Sequence, residues 1–362
     1  MDLPFPFALP LPTAFYLTAY VVTLTAHVVF MNYVLAGTAL LAVAFARPRP
    51  RPGESIAILK DWMPLMLSGA ITAGIAPLLF VQILYKRGYY TANLLLFNRW
   101  MAILPALIVG FYALYLLKSQ WLTRRPAWVR AAVAGVPVAC VAFTGYTWTE
   151  NHLLSVRSPS FWGDFYATGS QVYTEPQLVP RLLVWAFGAV PTLAVVLAWQ
   201  HWYRGTGRPR SIAGLAGVGL GLVSAAAGGY ALAADATTRE AFRSPMAWPY
   251  FAAAVAGLAT QAGGWWWVRT ADQFHARRLL ACSVGLALTI GGMTVCREAV
   301  RIHTLGAARF EALYPAHADA FGKGGLVLFL AFFTVNAGLI GFVFWLVRHR
   351  TVAPPPAAHG PH

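Results

Sequence analysis

The chain has 362 residues, 58% of them hydrophobic and 11% charged, with a net charge of +15. A soluble domain averages about 25% charged residues, so this composition excludes a soluble protein and points to an integral membrane protein. The basic residues are dispersed over short loops beside apolar runs, which excludes a nucleic-acid surface and assigns them to orientation and to contact with anionic lipid.

Runs of about 20 apolar residues, each enough to cross ~30 Å of hydrocarbon, predict an all-α, polytopic membrane protein with nine transmembrane helices. They fall at roughly 13–46, 62–86, 99–118, 130–150, 178–203, 211–235, 246–269, 277–300 and 324–348. The start, MDLPFPFALPLP, lacks the basic n-region of a signal peptide, so the first helix is expected to stay. Residues 1–348 read as one nine-helix domain, and the Pro-rich end 349–362 reads as a disordered cytoplasmic tail. With the amino terminus outside, the inner segments carry sixteen basic residues against three acids, Glu54, Asp61 and Asp272. The positive-inside rule therefore sets the amino terminus outside and the carboxyl terminus inside a bacterial-type inner membrane. Trp62, Trp100, Trp121, Trp128, Trp202, Trp248 and the run Trp265, Trp266, Trp267 lie at expected helix ends, as an aromatic belt does. The outer loops at about 151–177 and 301–323 are long, and the second is expected to hold a short surface helix. No internal repeat is visible, which disfavours an inverted-repeat transporter.

The cysteines Cys140, Cys282 and Cys296 stand singly, without covalent-haem or zinc spacing, and read as apolar fillers. The twelve acids all fall in loops or at expected helix ends, which argues against proton translocation through the middle of the chain. The deep polar residues are His27, Asn32, Gln82, Gln261 and Asn336. Each amide reads as an interhelical hydrogen bond.

His27 is the one histidine set deep in an expected span. An intramembrane imidazole usually has a partner, and two readings stand: a ligand to haem iron, or a histidine bonded to a neighbouring helix backbone or to Gln82. Thr23 and Met31 share its face. Met246 and Met293 are candidate second ligands, although a helical Met is more often packing. Pro77 frees the carbonyl of Ala73 and is expected to kink the second helix. Lys86, Arg87, Tyr89 and Tyr90 then emerge on the outer side, either to meet haem propionates or a quinone head group, or as interfacial snorkelling. In CREAVRIHTLGAAR, Arg297 and Arg301 share a face and Glu298 is spaced to pair with Arg301. With Glu150, His152 and His303, this cluster reads as a cofactor mouth, a docking surface for an extracytoplasmic partner, or a solvated rim.

The first helix, AHVVFMNYVLAGTALLAVA, resembles the first helix of subunit I of cytochrome bd quinol oxidases, where a histidine ligating the high-spin haem b opens a similar H-x-x-F…G-x-x-L-L run. The stretch GAITAGIAPLLF is similar to that family's glycine-rich segment ending in Phe, and nine helices with the amino terminus outside match its topology. The likeness covers residues 16–85. It implies that His27 is the haem ligand. There are departures. The family's Glu-Phe is Leu79-Phe80 here. Its fifth-helix histidine is replaced in PRLLVWAFGA by Val184 and Trp185. Its long quinol loop shrinks to DATTREAFRSP, and its Gly-Arg-Gln-Pro-Trp motif is absent. A complete three-haem quinol oxidase is therefore not expected. The expectation is a pared-down member that binds one haem b, a quinone, or both near the outer face. It would sit beside other membrane subunits and an extracytoplasmic cytochrome. Two alternatives are a cofactor-free scaffold subunit and a solute channel or carrier.

Overall fold

A computed structural model of the chain describes residues 9–47 and 53–350. Among these there are helices and no strand. The helices are α1 (Leu11–Ala46), α2 (Glu54–Leu84), α3 (Lys86–Leu95), α4 (Phe97–Leu116), α5 (Gln120–Thr123), α6 (Ala127–Ser155), α7 (Pro159–Ala167), α8 (Leu178–Arg204), α9 (Pro209–Ala233), α10 (Ala236–Arg243), α11 (Trp248–Arg269), α12 (Ala276–Leu305), α13 (Ala307–Glu311), α14 (Tyr314–Gly322) and α15 (Gly325–Arg350). Seven of them, α1, α2, α4, α6, α8, α9 and α12, are long and apolar enough to cross a membrane. The run from α13 through α15, bent by 62°, makes an eighth if counted as one broken span. Helix α11 occupies the expected seventh segment, but its glycines, Gln261 and tryptophans leave it less apolar than that set. The chain is a polytopic α-helical membrane protein. Asp2, Arg49, Arg51 and residues 351–362 of the expected tail lie outside the described residues.

Helix α1 is the axis of the bundle and packs on α2, α6, α8 and α12. Hydrophobic burial drives little helix association in lipid, so van der Waals fit and interhelical hydrogen bonds must hold the helices together. Small residues supply the fit. A Cβ on Gly69 would stand 2.8 Å from the Phe30 ring, and one on Gly285 would meet the Gly257 carbonyl at 2.8 Å. Hydrogen bonds supply the rest. Asn32 donates to Thr192 at 3.1 Å and accepts from Trp185 Nε1 at 2.9 Å. Gln261 donates to Thr289 at 3.1 Å. These two amides bridge helices as expected, whereas Asn336 donates to Phe332 of its own helix.

The end of the bundle at which α1 begins is called the near face here, and the end at which it finishes the far face. At the far face His201 ties α8 to α2: its Nε2 lies 2.9 Å from Ser55 Oγ, its Nδ1 3.2 Å from Thr206 Oγ1, and its ring stacks on Phe274. At the near face His317, fully buried, bridges Thr13 and the Leu84 carbonyl. His27 is therefore not the most enclosed histidine, because both of these are more deeply buried.

The near-face loops are more ordered than the sequence suggested. Helix α6 runs on to Ser155, and Ser158 caps α7 by accepting from the Phe161 N–H, with Pro159 in the first turn. The expected surface helix appears as α13 and α14. These extensions correct one expectation. Glu150 and Glu298 do not sit at helix ends. They lie within α6 and α12, and both are fully buried.

Candidate cofactor site at the near face

His27 projects from α1 onto α2. Its Nδ1 is 2.9 Å from the carbonyl of Ala70. A carbonyl only accepts, so Nδ1 carries the proton and donates, and Nε2 is left with its lone pair. Among the described residues Nε2 has no hydrogen-bond partner. Gly74 makes the approach possible, because a Cβ there would stand 2.9 Å from His27 Cε1. The imidazole takes the Ala70 carbonyl and not that of Ala73, which Pro77 frees, and Gln82 accepts instead from Tyr90 at 3.1 Å.

Two turns toward the near face from His27, Tyr20 accepts a hydrogen bond from the Arg297 guanidinium. Glu298 anchors the group: Tyr85 Oη donates to its Oε2 at 2.8 Å, and its Oε1 faces Arg297 at 3.4 Å and Arg301 at 3.8 Å. A carboxylate oxygen only accepts, so the Tyr85 hydroxyl is the donor in that bond. Arg301 is 3% exposed, donates to Ser155 Oγ at 3.0 Å, and lies 3.7 Å over the Tyr85 ring.

This cluster is rich in unused donors. The Nε atoms of Arg297 and Arg301 are each buried without a hydrogen-bond partner. Each buried unsatisfied donor costs about 1–3 kcal/mol. One carboxylate, Glu298, is shared by both guanidiniums. The arrangement suits an anionic group that would accept from the orphaned N–H groups.

The other expected residues are placed as follows. Met31 is half-buried one turn farther along α1. Lys86 and Arg87 are exposed at the start of α3 and form no ion pair among the described residues. Met246 precedes α11 and packs against the buried cluster of Ala247, Cys296 and Ala299; no described contact joins it to His27. Glu150 leaves the expected cluster and pairs with Arg99 at 2.7 Å, while also accepting from the Tyr173 N–H at 3.1 Å. His303 faces Glu240 at 3.9 Å. Among the described residues no three His, Cys, Asp or Glu side chains gather to hold a bare metal ion. A haem needs no such set, because one imidazole suffices for its iron. Tyr20, Tyr85 and Ser155 join the site without having been singled out in the sequence. Only Tyr20 carried a signal, its seven-residue spacing from His27.

The chain matches no described protein family and no curated protein.

Proposed function

We propose that this chain is the membrane subunit of an electron-transfer complex, a divergent relative of cytochrome bd subunit I, and that His27 ligates a haem b. The observation that carries the reading is the hydrogen bond from His27 Nδ1 to Ala70. A ligating histidine commonly donates its other ring N–H to a carbonyl, which fixes the tautomer and orients the ring. His27 is held in that way, with Nε2 left free.

The residues fit the group at its other end as well. Haem carries carboxylates, and the orphaned Nε donors of Arg297, bonded through its Nη2 to Tyr20, and of Arg301, one turn on along α12, lie on the near-face side of His27. Glu298, Tyr85 and Ser155 hold those guanidiniums in place. When bound, haem supplies one-electron redox chemistry. The chain's own part is to bind and orient it. Lys86 and Arg87 are available at the near face for a quinone head group. The reading includes nine crossings, the amino terminus outside a bacterial-type inner membrane, and neighbouring membrane subunits with an extracytoplasmic cytochrome as partners.

A visible spectrum of the purified protein tests the reading. The expected result is a haem b spectrum that His27→Ala abolishes or shifts. A colourless protein purified from haem-replete cells, or a spectrum unchanged by His27→Ala, would overturn it.

A further inference from the structure

The far ends of α8, α9, α11 and α12 converge. Trp199 of α8 donates to Ser283 of α12 at 2.9 Å, and the His201 ring lies parallel to Phe274, with centroids 6.0 Å apart. These contacts bring the α8–α9 turn, with Arg204, Arg208 and Arg210, to the same corner as the α11–α12 turn, with Arg269, Arg277 and Arg278. Six arginines there face two acids, Asp272 and Glu54, the latter 3.9 Å from His201 Nδ1, and none of the six forms an ion pair among the described residues. Two guanidiniums rest on aromatic faces: Arg269 lies 5.9 Å over Trp266 and Arg278 5.1 Å over Trp267. Trp266 is 69% exposed, and Trp202 and Trp267 are also exposed. Tryptophan favours head-group depth, so these cations stand where lipid phosphates lie. Below them Gly214, Gly217 and Gly221 of α9 have no heavy atom within 4 Å of the Cβ position, which leaves a smooth, lipid-facing track.

We propose that this corner is a binding site for an anionic phospholipid, its phosphate held between the two arginine-bearing turns and its acyl chains lying along α9. The unbalanced positive charge selects a net-negative head over a zwitterionic one. The exposed tryptophans and the glycine track at the same corner select a lipid over a free phosphate. The site is independent of the haem reading.

The test is native mass spectrometry of the full-length protein, with thermal unfolding after addition of phosphatidylglycerol, phosphatidylcholine or glycerol phosphate. Phosphatidylglycerol should be retained and should raise the unfolding midpoint, whereas the other two should do neither. The triple variant Arg269→Gln, Arg277→Gln, Arg278→Gln should weaken retention by on the order of 100-fold at low salt, and the corresponding Arg→Lys triple should keep most of it. Lys60→Gln, Lys118→Gln, Arg124→Gln removes the same charge elsewhere on the far face and should leave retention unchanged. Equal retention of phosphatidylcholine, equal protection by glycerol phosphate, or equal loss in the control triple would overturn the proposal.

Discussion

His27 Nδ1 donates to the carbonyl of Ala70 across the α1–α2 seam, at 2.9 Å. That bond decides which ring nitrogen is free, and Gly74 decides how closely the ring approaches.

Gly74→Ala should therefore act through His27. Its new Cβ would stand 2.9 Å from Cε1, so the ring must shift off Ala70. Overpacking of this kind costs about 1–3 kcal/mol. The expected outcome is a folded protein with a lower haem-to-protein ratio and a lower unfolding midpoint, read by absorbance and thermal unfolding. Haem content equal to wild type would contradict this role for Gly74.

Glu298→Ala should be among the most damaging single changes at the near face. It strips the carboxylate from Arg297, Arg301 and Tyr85 together. Removing one partner of a buried ion pair costs about 3–5 kcal/mol because the remaining charge is left uncompensated. Denaturant unfolding in detergent should show a loss of that order, and a loss below about 1 kcal/mol would refute the anchoring role.

Arg99→Gln should loosen the loop that follows α7. Arg99 is the charge partner of the buried Glu150, whose Oε1 also accepts from the Tyr173 N–H. Hydrogen exchange should rise at residues 168–177 while α1 and α2 stay protected.

Low pH should fray α10 before the bundle. Asp235 caps that helix by accepting from the Thr238 N–H at 2.7 Å. Burial pushes its carboxyl up, but the Thr238 bonds, the Gln177 amide and the Arg181 charge outweigh this, and the net shift is downward. A folded value below the unfolded one means that the stabilisation is complete above about pH 3.9. It is lost as the pH falls through the lower, folded value. Exchange within 236–243 should accelerate in that acid range, and Asp235→Ala, which costs about 0.5–2 kcal/mol, should show the acceleration already at neutral pH.

Much of the helical layout was legible because apolar runs must be helical in lipid, where every backbone group has to be paired within the segment. The spacing of Glu298 and Arg301, three residues apart on one helix, also read correctly as an ion pair. What stayed hidden depends on contacts between distant segments. Tyr20 meets Arg297 and Ser155 meets Arg301 across long stretches of chain, and no local pattern marks either. A carboxylate usually ends an apolar run, so the sequence alone puts Glu150 and Glu298 at helix ends. Their arginine partners, on α4 for Glu150 and on α12 itself for Glu298, let the helices continue past them. Helix α11 shows the converse: small residues that pack against α12 also dilute its hydropathy.

The most direct test of the central claim is the reduced-minus-oxidised visible spectrum of the wild-type protein beside that of His27→Ala. The account predicts a haem b signal in the wild type that is lost or shifted in the variant. Identical spectra, or no haem in a wild-type protein purified from haem-replete cells, would contradict it.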